Sequence, residues 1–410
     1  MAEGFPYNQT PKTTQSNKVA YAEAKVKVKM NSGMVITFYS YKGGVGRSFI
    51  LANVSALLSK WGYRVLCIDW DLEAPGLSHY FAPWNKDPNK PGFTELIEAH
   101  RDKKKPNWRN HVNELYFFSD VKTPLSFIQA GIHDNSEDDT YVRRVQELDW
   151  VRLYDKYDFG KFLEQLRRVW KKEYDFIFID SRTGISDIGG ICTVQMPDVI
   201  ALVFTANYQS LDGGIDIVNR SKNAQSDLPF DRAQIMTLPI LSRFVDRRYE
   251  SERADRWLEI IKEKLSSYYK QWADRGVEAS DLLYKLQIPH FSYWSFGEEL
   301  PVVSESRNDT ESINYHLYTI AALIAHRLGG TGLLMENRDT YVNEAIKNIS
   351  EHFAQRGGNI DNAREFILER YPESANILDG LLSLLEQQGE VLDDRAIRKI
   401  FKIIRDIHKY

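Results

Sequence analysis

Three short clusters hold the residue types that could do chemistry in this 410-residue chain. The first, Lys42-Gly43-Gly44-Val45-Gly46-Arg47-Ser48-Phe49, sets glycines among two cations and a hydroxyl. Glycine lets a backbone turn tightly and approach a ligand with no side chain in the way. Where such a loop opens a helix, its unpaired amides and the helix dipole favour an anion, so the cluster suits a phosphate group. The second cluster, Asp69-Trp70-Asp71, holds paired carboxylates, and the third is Asp180, followed by Gly184. Acids beside a phosphate cradle can order a divalent cation and a water molecule.

The elements that must position these clusters are legible as apolar runs. Residues 35–39 are β-branched or aromatic and predict a buried strand running into the first cluster. The spacing of Ile50, Leu51, Val54, Leu57 and Leu58 predicts the helix that leaves it. Residues 63–68 and 174–180 predict strands that end at Asp69 and Asp180, and 199–205, 234–241 and 286–289 predict three more. Helical stretches at 162–172, from about Gly214, at 245–285 and at 318–327 alternate with them. The expected fold is α/β: a doubly wound, mostly parallel sheet with flanking helices. Open sheets of this kind bind ligands at the carboxyl ends of their strands, where Asp69, Asp71 and Asp180 fall.

Around this unit, 1–33 reads as a flexible polar tail, although the alternation from Lys25 to Lys29 could add a short strand. Residues 82–114 are proline-rich with one amphipathic piece at 93–99, and 115–119 and 125–130 predict further strands. The charges from Arg101 to Lys105, with Trp108-Arg109 beyond, read as a solvated loop. A second insertion, 134–161, is expected to pack on the core. Gly329-Gly330-Thr331-Gly332 reads as a linker that closes a domain spanning 34–328. Beyond it, 333–410 is expected to be an all-helical appendage. Its last helix carries Ile397, Ile400, Phe401, Ile404 and Ile407 on one stripe and a basic opposite face. Such a helix suits a small bundle, with docking on a membrane surface as the alternative.

Composition narrows the classes. A net charge of −4 gives no bulk attraction to nucleic acid. Cys67 and Cys192 have no paired spacing, which argues against zinc or iron–sulfur chemistry and for a reducing compartment. The absence of an 18-residue apolar run gives the expectation of a soluble, cytoplasmic protein.

The loop does not fit G-x-x-x-x-G-K-[ST], because Tyr41 stands at the first glycine position and Arg47 at the lysine. It resembles the deviant Walker A loop, K-G-G-x-x-K-[ST], of the ParA/MinD class of P-loop ATPases (the SIMIBI class). Lys42, Gly43, Gly44 and Ser48 match that loop, and Arg47 departs from it. The resemblance implies ATP and Mg²⁺ as ligands, with Gly43, Gly44, Val45, Gly46, Arg47, Ser48 and Phe49 around the phosphates. It implies Ser48, Asp69 and Asp180 in the metal shell, Asp71 positioning the attacking water and Gly184 in a switch that senses the terminal phosphate. Ser242 or Arg243 would meet the base, beside a loop spanning 290–299, and Lys42 would reach across a homodimer to the partner's nucleotide. Arg182 is a further candidate for electrostatic stabilisation, with a structural ion pair as the alternative.

Arginine keeps the charge of the loop lysine but is longer, planar and prone to bidentate contacts. The expected function is therefore an ATP-binding, slowly hydrolysing switch that dimerises around nucleotide. Its output would pass to a protein partner or effector through the helical C-terminal region, as in a bacterial signalling or defence system. The alternative is a positioning or partition ATPase that associates with DNA or membrane through its basic last helix.

Overall fold

The computed structural model describes residues 32–354 except 105, 120–122, 133–139, 185–189, 229–231, 245–250 and 306–308, together with 377, 378 and 380. Eight strands form one sheet: β1 (Met34–Tyr39), β2 (Val65–Asp69), β3 (Asn113–Leu115), β4 (Leu125–Ile128), β5 (Phe176–Asp180), β6 (Val199–Phe204), β7 (Met236–Phe244) and β8 (Gln287–Pro289). Their order is β3-β4-β2-β5-β1-β6-β7-β8, and every pair is parallel except β3 with β4. The expected doubly wound α/β sheet is the one observed.

Period-two alternation explains why both faces of this sheet are dry. Along β1 and β5, Ile36, Phe38, Phe176 and Phe178 enter one apolar layer, and Val35, Ile177 and Ile179 enter the other. The first layer is filled by helices Arg47–Lys60, Tyr208–Gln225, Ser251–Tyr269 and Ile313–Ala325, and the second by Phe93–Arg101 and Phe159–Glu173. Near-continuous apolar strands are what a parallel sheet covered on both faces requires. The strand register then fixes the site, with Phe38 level with Asp180 and Asp69 level with Asp180. The glycine loop and both acidic strand ends thus emerge along one edge.

The structure shifts several expected boundaries. The strand expected at 115–119 occupies Asn113–Leu115 instead, because the chain leaves the sheet at the exposed Tyr116. The strand expected at 234–241 runs on as Met236–Phe244 through Ser242 and Arg243, with a ladder irregularity between Leu241 and Phe244. The helix expected from Gly214 starts at Tyr208, capped by Asn207, whose side chain accepts from the Ser210 amide. In the second insertion, helices Thr140–Gln146 and Trp150–Tyr157 pack on the core as expected, and the Tyr141 hydroxyl donates to Leu72 O at 2.7 Å.

The expected linker at 329–332 is corrected: this stretch is integral to the packed unit. Gly330, at φ 68°, leads into a helix at Thr331–Glu336, and a second helix follows at Arg338–Ala354. The Tyr341 ring is fully buried beside His326, its hydroxyl donating to Gly329 O at 2.7 Å. Arg338 donates from Nη2 to Tyr315 O at 2.7 Å, and Tyr63 donates to Ala345 O at 3.0 Å. Gly330 supplies a left-handed turn into the packed helix instead of a flexible break. The strand considered at 25–29 and the helices expected beyond 355 lie outside the described residues, apart from 377, 378 and 380.

Candidate functional site

β1 delivers the chain into the loop, and the loop turns at Gly44 and Gly46, with φ of 72° and 89°. Gly46 caps helix Arg47–Lys60, and a Cβ there would lie 3.3 Å from Ser242 Oγ, so this position combines a left-handed backbone with a close approach. Lys42 sits exposed at the crest of the loop, and its carbonyl accepts from Ser40 Oγ at 2.9 Å. Tyr41 packs over Gly213 of helix Tyr208–Gln225, where a Cβ would fall 2.5 Å from the tyrosine ring. That helix therefore seats the loop from the side.

Arg47 is 7% exposed and points inward between two carboxylates. Its Nε donates to Asp180 Oδ1 at 2.5 Å and its Nη2 to Asp71 Oδ2 at 2.9 Å, while Nη1 is buried with no partner. The other oxygen of Asp180, Oδ2, accepts from Ser48 Oγ at 2.5 Å. Asp69, expected in the metal shell, is held by the backbone. Its oxygens accept the amides of Asp71 at 3.3 Å and Leu77 at 3.0 Å, so it braces the turn that follows β2. Trp70, between the two acids, goes to the opposite layer and packs on Phe93 at 4.1 Å.

The electrostatics follow from burial. Desolvation first, then the charges of Asp180 and Asp71, push the Asp69 carboxyl well above the usual range. Burial also raises Asp180, opposed by Arg47 and the Ser48 hydrogen bond. For Arg47 burial pulls downward, but Asp180 and Asp71 more than offset it, and the guanidinium is held charged. Two carboxylates, Asp180 and Asp71, thus share one guanidinium. The excess negative charge and the Ser48–Asp180 pair of hard oxygens fit a magnesium ion. Among the described residues, no three His, Cys, Asp or Glu side chains converge as a ready-made cage. Ser48 would therefore be the direct ligand with Asp180 behind it, and phosphate oxygens would complete the shell. The partnerless Nη1 of Arg47 is a donor that a phosphate oxygen would satisfy.

Beside the loop lies a cavity of about 230 Å³. Gly46, Phe49, Tyr80, Ser242, Arg243 and Phe291 are among its walls, so the structure brings the expected base-side residues against the glycine loop. His290, Trp294 and Glu298 close it from the 290–299 segment, next to Pro289 at the end of β8. Phe49 and Tyr80 meet edge to face at 6.2 Å, an aromatic wall suited to a flat ring. Arg243 takes φ 52°, a left-handed conformation that turns the strand end at the cavity rim. Tyr80 was not singled out from sequence, and its neighbourhood to Phe49 arises only in the fold.

Of the remaining candidates, Gly184 has φ 76° and its carbonyl accepts from the Tyr39 hydroxyl at 3.3 Å, while 185–189 lie outside the described residues. Arg182 pairs with Glu73, tying the end of β5 to the turn after β2, which is the structural alternative considered for it. Among the described residues no helix is long and apolar enough to cross a membrane.

Residues 33–231 match the family model AAA_31, described as an AAA domain. An uncharacterized ATP-binding protein of Methanocaldococcus jannaschii is 28% identical over 197 residues, covering 48% of this chain and 62% of that protein. EpsB of Ralstonia solanacearum, a candidate tyrosine-protein kinase, is 34% identical over 179 residues, or 43% of this chain and 18% of EpsB. The chain thus spans less than two thirds of the length of either relative. Among solved structures, the septum site-determining protein MinD of Pyrococcus horikoshii, complexed with Mg-ADP, is similar at 18% identity and a TM-score of 0.45. That match covers 72% of this chain and 98% of the MinD chain.

Proposed function

We propose that this chain, in which residues 33–231 match the AAA_31 family model, is a P-loop ATPase of the ParA/MinD type that binds Mg·ATP in the glycine loop and works as a slowly hydrolysing nucleotide switch. The observation that carries the reading is the loop cluster itself. A glycine-opened helix N-terminus, a buried guanidinium with a spare donor and a Ser48–Asp180 pair converge beside an aromatic cavity. Loop amides and Arg47 Nη1 would meet the phosphates, Ser48 and Asp180 would hold magnesium, and Phe49, Tyr80, Ser242 and Arg243 would enclose the base. Magnesium, when bound, would offset charge on the phosphate oxygens.

Lys42 supports the dimeric part of this reading. It is the loop cation left exposed, so it would be free to meet a second nucleotide across a dimer. The consequence of nucleotide binding would be a dimer with a new surface, read by a protein partner or effector. Sedimentation velocity with and without Mg·ATP tests this. The wild type is expected to shift to a dimer with nucleotide and Lys42→Ala to remain monomeric, whereas an unchanged wild-type profile would refute the switch.

A further inference from the structure

Beyond slow turnover, we propose that Arg47 is a built-in brake on hydrolysis, holding the acid that would accept the proton from water. The inference rests on the reading that the site binds ATP.

The oxygen atoms of the three carboxylates are used differently. Asp69 accepts backbone amides on both oxygens, and Asp180 accepts Arg47 on one and Ser48 on the other. Asp71 is bonded to Arg47 through Oδ2 and is the most exposed of the three at 6%, against 0% for the other two. It is therefore the acid best placed to take a proton. In hydrolysis a water oxygen bonds to the terminal phosphorus, its proton passes to a base and the bond to the bridging oxygen breaks, giving ADP and phosphate. The Arg47 hydrogen bond occupies Oδ2 and fixes the orientation of the Asp71 carboxylate, so it would have to be released before that oxygen could take a proton from water.

The guanidinium fork explains why the brake persists when nucleotide arrives. Nε and Nη2 present their N–H groups along one edge of the planar group, and that edge is the one engaged by Asp180 and Asp71. Nη1, at the far corner, is buried and has no partner. A phosphate oxygen can be met from Nη1 while both acids stay bound, so ATP gives Arg47 no reason to release Asp71. A lysine at this position has one nitrogen on a shorter stem and cannot span both acids and the phosphate. Arginine at this position thus has Nη1 left for a phosphate oxygen while Nε and Nη2 hold the two acids.

Arg47→Lys tests the brake, read by Mg·ATP affinity and by single-turnover hydrolysis, with folding checked by thermal melting. At saturating Mg·ATP the hydrolysis rate is expected to rise by roughly tenfold or more, within the range of a restored general base. The gain should vanish in Arg47→Lys/Asp71→Asn. A variant that binds Mg·ATP like the wild type and hydrolyses it no faster would overturn the brake and leave nucleotide binding standing. If neither protein binds nucleotide, the binding reading falls and the brake with it. If Arg47→Lys does not fold, a crystal structure of the wild type with a non-hydrolysable ATP analogue decides. Nη2 within hydrogen-bond distance of Asp71 supports the brake, and separation of the two overturns it.

Discussion

The Ser48 hydroxyl donates to Asp180 at 2.5 Å, joining the first turn of the loop helix to the end of β5 across 132 positions of sequence. This contact exists because β1 and β5 are neighbours in register, with Phe38 level with Asp180. On the proposed reading, a hydroxyl and a carboxylate held this way would form half of a hard-cation site before any cation arrives. Ser48→Ala should therefore lower magnesium-dependent nucleotide affinity by roughly 10- to 100-fold, the range for lost metal-site contacts. Calorimetric titration with Mg·ATP and with ATP in EDTA checks this. Equal losses under both conditions would place Ser48 outside the metal site.

Gly46 is where the loop tolerates least. Its φ of 89° and the 3.3 Å approach of a Cβ to Ser242 Oγ predict that Gly46→Val costs about 1–2 kcal/mol from the backbone alone. Nucleotide binding should fall further than stability, because Gly46 also walls the cavity. Urea unfolding and titration with Mg·ADP on the same variant separate the two effects.

Much of this arrangement was legible in the sequence. The runs that became β1, β2, β5 and β6 are apolar throughout because a sheet covered on both faces leaves no polar alternation. Gly46, Asp71 and Asp180 declared themselves by type and place. Three things did not. Arg47 announced its charge, but its pairing to Asp71 and Asp180 depends on register between strands far apart in sequence. Tyr80 and the Tyr41–Gly213 packing are tertiary neighbourhoods with no local signal. The glycines at 329 and 330 look the same in sequence whether they loosen a linker or, as here, supply a tight turn into a packed helix.

That last difference has a measurable consequence. Tyr341 is fully buried, and its hydroxyl donates to Gly329 O. Tyr341→Ala should destabilise the protein by about 3–5 kcal/mol through the cavity it leaves. Tyr341→Phe should cost only about 1 kcal/mol for the hydrogen bond. Denaturant unfolding checks both. A near-neutral alanine variant would mean that residues beyond 330 do not contribute to the core.

His316, in helix Ile313–Ala325, gives a pH signature. Burial pulls its imidazole down from 6.5 to about 4, with nearby Arg338 adding to the shift and a Gln287 backbone contact opposing it. Because the folded state resists protonation, this group's contribution is full above pH about 6.5. It is lost as pH falls towards 4, where the unfolded chain binds the proton first. The loss should reach about 3 kcal/mol at most. Comparing unfolding free energies of the wild type and His316→Gln between pH 7 and 4 isolates it, and equal slopes would contradict the assignment.

Isothermal titration of the wild type and Arg47→Ala reads whether the glycine loop around Arg47 is a site for Mg·ATP. The wild type should take up one Mg·ATP per chain, and Arg47→Ala should lose that binding while remaining folded by circular dichroism. No heat of binding from the wild type at any accessible ATP concentration, or unchanged affinity in Arg47→Ala, would contradict the account.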